Sequence, residues 1–155
     1  MKKHVIKSRR RTDVMAVALV AALAIPATVA GQAGEEAAVR ETIDGFKTAL
    51  QSGDGEAAMA TLHAEARIFE GGHAETRDQY ESGHLRGDMT FAAAVSSKTT
   101  WDDLSIRGDV AIYLREYNTT GTFRDREIDS HGTETMVLRR TEIGWKIWHV
   151  HWSSR

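Results

Sequence analysis

Gly144-Trp145-Lys146-Ile147-Trp148-His149-Val150-His151-Trp152-Ser153 reads as one strand, rich in aromatic and β-branched residues and opened by the turn signal Ile143-Gly144. Regular alternation puts Trp145, Ile147, His149, His151 and Ser153 on one face. Lys146, Trp148, Val150, Trp152 and Ser154 then share the other. Two histidines at i and i+2 can converge on a pocket. There they could move protons near neutral pH or, as neutral imidazoles, ligate a metal. A structural hydrogen-bonding role fits the same spacing equally well.

Upstream of this strand the pattern stays β. Thr99 to Ile106, Val110 to Thr119 and Arg126 to Arg139 are strand candidates, with Gly108-Asp109 and Thr120-Gly121 as turn signals. The first half reads differently. Ala38, Ile43, Phe46 and Leu50 recur at helical spacing within Glu35 to Gln51. Ser52-Gly53-Asp54 ends that helix and opens a shorter one, Asp54 to His63. A strand from Ala66 to Glu70 stops at Gly71-Gly72. Thr76-Arg77-Asp78-Gln79 is a capping box that starts a third helix, Arg77 to Arg86. Helices first and strands later predict an α+β domain.

Two stretches carry a family resemblance: Phe46-Lys47-Thr48-Ala49-Leu50-Gln51-Ser52-Gly53-Asp54 and the closing strand. Through them the chain resembles the nuclear transport factor 2-like superfamily, with its SnoaL-like and ketosteroid isomerase-like domains. The resemblance implies a cone-shaped curved antiparallel β-sheet wrapped around three N-terminal helices, spanning 35–155. It also implies a pocket between sheet and helices and a homodimer formed through the sheet, but no single function. Ketosteroid isomerases place a carboxylate base where Glu70 stands and an oxyanion-binding tyrosine where Phe46 stands. Phe46 has no hydrogen to donate, so the resemblance does not carry over their oxyanion chemistry.

The candidate catalytic residues are therefore Glu70, His149 and His151. Phe46, Tyr80, His84, Glu134 and Trp145 are candidates for ligand binding. His84, His149 and His151 are the candidate metal ligands, and the sequence names no cofactor. Each has a plainer reading. Glu70 could pair with Arg67 or Arg115, Tyr80 could pack in the core, and His84 could cap a helix end. Glu134 could balance Arg139 or Arg140.

Residues 1–30 read as an export signal: six basic residues, an apolar run from Val14 to Ile25, Pro26, then Ala27-Thr28-Val29-Ala30 before the cut. Residues 31–34 read as a flexible lead-in. Ser8-Arg9-Arg10-Arg11 leaves both the general and the twin-arginine route open. Loss of the leader removes six of 20 basic and one of 22 acidic residues, which takes the net charge from −2 to −7. An acidic domain without a basic cluster is a poor partner for nucleic acid or an anionic membrane. The absence of cysteine excludes disulfides, thiolate metal sites and cysteine nucleophiles. No dinucleotide-binding, Walker, GxSxG or HExxH motif is present. The expectation is an exported, periplasmic or secreted, small-molecule-binding domain. Its alternatives are a pocket enzyme (isomerase, lyase or hydrolase) and a dimerisation or assembly module.

Overall fold

The computed structural model describes residues 27–155, so most of the expected leader lies outside the described residues. Among the described residues four helices and six strands follow one another: α1 (Ala27–Ser52), α2 (Gly55–Thr61), β1 (Leu62–Glu70), β2 (His73–Thr76), α3 (Arg77–Ser82), α4 (Leu85–Ala94), β3 (Val95–Arg107), β4 (Val110–Phe123), β5 (Arg126–Thr141) and β6 (Gly144–Ser154). The α+β class and the curved, unclosed sheet agree with the sequence reading. Residues 31–34 are not a lead-in loop but continue α1.

Local chemistry explains the helix ends. The Asp54 carboxylate accepts from the Ala57 amide at 2.9 Å and opens α2. Both bonds of the Thr76–Gln79 capping box are made, at 3.2 and 2.9 Å. The expected third helix is in fact two. Gly83 leaves helical geometry and stops α3, and α4 restarts at Leu85. Val39, Ile43, Phe46, Ala49 and Leu50 of α1 are buried in the core, as their spacing requires.

The strand order is β2-β1-β6-β5-β4-β3. All neighbours are antiparallel except β1 and β6, which run parallel. That pair corrects the all-antiparallel expectation. A long crossover through helices and strands separates its members, as a parallel pair requires. Gly71 and Gly72, both at positive φ, form a two-residue hairpin turn into β2, which is too short to have shown a pattern. The turn between β4 and β5 is not Thr120-Gly121 but Arg124-Asp125, also both at positive φ. Gly121 sits inside β4, where a Cβ would stand 2.8 Å from the Ala94 carbonyl oxygen.

A β-bulge changes the reading of the closing strand. Leu138 pairs with Ile147 but Val137 pairs with His149, so Trp148 is the extra residue. Alternation restarts one residue late. Trp145 and Ile147 point into the core, and after the bulge Val150 and Trp152 do. His149 and His151 are thereby turned to the outer face, opposite to where unbroken alternation puts them.

Candidate functional site

One row of side chains crosses the concave face of the sheet. Glu70 of β1 is in register with Trp152 of β6, Trp152 with Glu134 of β5, and Glu134 with Arg115 of β4. Helices cover this row: α1 brings Phe46, Lys47 and Leu50, and α4 brings Asp88, Phe91 and Ala92. Between the layers lies a cavity of about 190 Å³ that all these residues line, together with Val95, Tyr117 and Thr119. Its size suits a small molecule rather than a drug-sized one.

Glu134 is the hub of the row. It is only 3% exposed. Lys47 Nζ lies 3.0 Å from its Oε1 and Arg115 Nε 3.3 Å from the same oxygen. Its Oε2 accepts from Trp152 Nε1 at 2.8 Å and from Arg115 Nη2 at 3.4 Å. Trp152 in turn stacks on Phe46, with ring centroids 6.2 Å apart and planes within 6°. Burial, reinforced by the Arg115 charge, pulls the Lys47 ammonium below its ordinary pKa, while the Glu134 carboxylate pulls the other way. The Arg115 guanidinium also lies 4.3 Å from the centre of the Tyr117 ring. That ring crosses the strand partner Gly132 so closely that a Cβ there would stand 2.5 Å from it.

Glu70 marks the second polar region. It borders the cavity where solvent still reaches it, so the surrounding walls remove its water only in part. That partial burial raises its pKa above the ordinary 4.5; the Asp88 carboxylate raises it further, against a lowering from His84, and Glu75 adds a smaller push. Asp88 is also raised, by burial first, although it accepts a 2.9 Å hydrogen bond from the Tyr80 hydroxyl. Burial and the Asp88 charge drive the Tyr80 pKa upward, so its hydroxyl stays a donor. His84 Nδ1 lies 2.7 Å from Glu75 Oε2, and this bond raises the imidazole pKa.

The candidates named from sequence separate into three places. Glu70, Phe46 and Glu134 line the cavity. Tyr80 and His84 do not; Tyr80 is fully buried behind Asp88, and His84 is exposed beside Glu75. Trp145 is buried away from the cavity, where its indole donates to Glu35 at 3.1 Å. His149 and His151 lie across the sheet from Glu70's cavity, edge-on to Phe69 at 5.0 and 6.2 Å between ring centroids. Burial and the neighbouring His151 push the His149 pKa down. The histidine pair and His84 are therefore not brought together. Among the described residues no group of three or more metal-ligating side chains is arranged to hold an ion.

Sequence reasoning missed Lys47, Asp88 and Trp152, and named Arg115 only as a possible partner of Glu70. A signal existed for Arg115: it shares the inward parity of Ala111 and Tyr113, where a charge demands a partner. Asp88 lay past the expected end of the third helix. Trp152 was assigned to the wrong face by the unseen bulge. For Lys47, on the flank of α1, the pattern held no signal.

A family profile described as the SnoaL-like domain matches residues 39–155. A solved structure from Shewanella frigidimarina, named provisionally a ketosteroid isomerase, is 33% identical, covers 75% of this chain and 94% of its own, and superposes with a TM-score of 0.72. A protein from Streptomyces avermitilis, named provisionally a dehydratase of the NTF2-like family, is 21% identical over 79% of this chain and 96% of its own, with a TM-score of 0.65. The CaMKII hub of S. rosetta is 20% identical over 76% and 95%, with a TM-score of 0.60. The last two are similar in fold alone. No curated protein matches the sequence.

Proposed function

The chain belongs to the SnoaL-like domain family, within the nuclear transport factor 2-like superfamily, and on that premise we propose that it binds a small organic molecule between sheet and helices and moves a proton on it with Glu70. The observation that carries this reading is a carboxyl group on the cavity wall whose pKa is raised by partial burial and by Asp88. A base of raised pKa is better matched to taking a proton from carbon. Glu70 would accept the proton from a carbon next to a carbonyl, and the electron pair would move onto the carbonyl oxygen. The same carboxyl would then return the proton to another carbon of the ligand. The name of the 33%-identical relative supports this class of chemistry. Steroids are not proposed as substrates, because the cavity is small.

The test uses 3-cyclohexenone as probe and follows deuterium uptake in D2O by NMR. The protein should speed uptake above buffer, and Glu70→Gln should lower that gain by about 100-fold or more. Equal rates for the two proteins would remove Glu70 from the chemistry.

We also propose export to the periplasm or medium and a homodimer formed through the outer sheet face, where Phe69, Ile112 and Trp148 are exposed. Protein recovered after export should begin at Gly31 and scatter light as two chains, and Trp148→Arg should halve that mass. An intact leader would contradict the export proposal. A monomer, or a dimer indifferent to Trp148, would contradict the interface.

A further inference from the structure

We infer that the cavity recognises its ligand through a carboxylate held by Lys47 and Arg115, so that the molecules it takes are small organic acids with an apolar body. This deepens the small-molecule reading above and rests on it.

Hydrogen-bond and charge counts around Glu134 carry the inference. A guanidinium has five N–H donors and an ammonium three. Against these eight, the described protein acceptors are few. Arg115 Nη1 reaches Thr99 Oγ1 and Nη2 reaches Glu134 Oε2, both at a long 3.4 Å. Arg115 Nε lies 3.3 Å from Glu134 Oε1 without forming a hydrogen bond, and the same oxygen is 3.0 Å from Lys47 Nζ. Trp152 already occupies Oε2 at the shorter distance of 2.8 Å. One carboxylate thus serves two cations and an indole N–H, and these three charged groups carry an excess of one positive charge, while the Glu70 and Asp88 carboxyl groups line the same cavity outside the cluster. Arg115 and Glu134 side chains are 9% and 2% exposed, and Lys47 is 22% exposed. Water therefore reaches the guanidinium only weakly, and an excess charge so placed is costly until an anion meets it.

The cavity's shape and walls narrow the class. Arg115 and Lys47 both face the cavity, so an incoming oxygen can reach the free donors. A planar carboxylate fits the fork of a guanidinium with two parallel bonds. Phe46, Leu50, Phe91 and Val95 form an apolar wall along the same space, which suits a ring or branched chain on the acid. The ligand carboxylate would complete the cluster, leaving two anions between two cations.

Benzoate and benzamide test this, because they match in shape and differ in charge. Binding is measured by calorimetry and by the Trp152 indole N–H resonance. Benzoate should bind about tenfold or more tighter than benzamide and shift that resonance. The preference should disappear in Lys47→Met and in Arg115→Met. Thermal melting reports whether each variant folds, and Lys47→Met decides alone if Arg115→Met does not. Equal affinity for acid and amide, no binding of benzoate, or a preference unchanged in the folded Lys47→Met protein would overturn the inference. Charge preference without deuterium exchange would leave an acid-binding protein and remove the proton-transfer reading. Exchange without charge preference would do the reverse.

Discussion

Glu134→Gln is expected to cost about 3–5 kcal/mol of folding stability, the largest effect of any single polar change in the cavity. The substitution keeps size and shape but removes the one anion between Lys47 and Arg115. Two like charges then face each other with little water, and Trp152 loses a charge-assisted acceptor for its indole. Urea denaturation should show a lower midpoint with an unchanged slope. Adding Lys47→Met to Glu134→Gln should restore part of the loss, since it removes one of the two stranded cations. A loss below about 1 kcal/mol, as for an exposed ion pair, would mean that the cluster is solvated and the cavity wet throughout.

Phe46→Ala should cost a similar amount, about 3–5 kcal/mol, for an apolar reason. Phe46 is fully buried and its ring stacks on Trp152, so its removal leaves a void that the helix and sheet cannot close. The void opens onto the existing cavity, so bulkier ligands should bind better relative to small ones even as stability falls. Trp152 connects this change to the polar row. With its stacking partner gone, the indole can drift from Glu134, so Phe46→Ala and Glu134→Gln together should cost less than their sum. Strict additivity in a denaturation cycle would show that the stack does not hold the indole in place.

Much of the architecture was legible because local signals agreed with one another. The capping box at Thr76, the Asp54 cap and the apolar face of α1 all formed as read. What escaped reading was set by geometry that leaves no pattern in one strand. The bulge at Trp148 comes from pairing with β5, and a single extra residue exchanges the faces of everything after it. The histidines therefore looked like the site and Trp152 fell on the opposite face, when the sheet places them the other way round. Glu70 was found through the family resemblance, by its position at the end of β1. Its partner Asp88 depended on a helix that restarts after Gly83, which no periodicity announced. Glu134 was noticed, but its partners were sought in Arg139 and Arg140, its neighbours in sequence. The sheet supplies Arg115 from across the strand pair, and α1 supplies Lys47.

The pH profile of deuterium exchange into 3-cyclohexenone decides whether Glu70 moves the proton. Glu70 must be ionised to act as base, and its pKa is raised, so the rate should fall as the pH drops through a midpoint above 4.5. Asp88→Asn removes the charge that helps raise it, so the midpoint should move to lower pH. Glu70→Gln should lose the limb altogether. A profile that keeps the same acid limb in all three proteins would contradict the account, because the group that titrates would then be neither Glu70 nor coupled to Asp88.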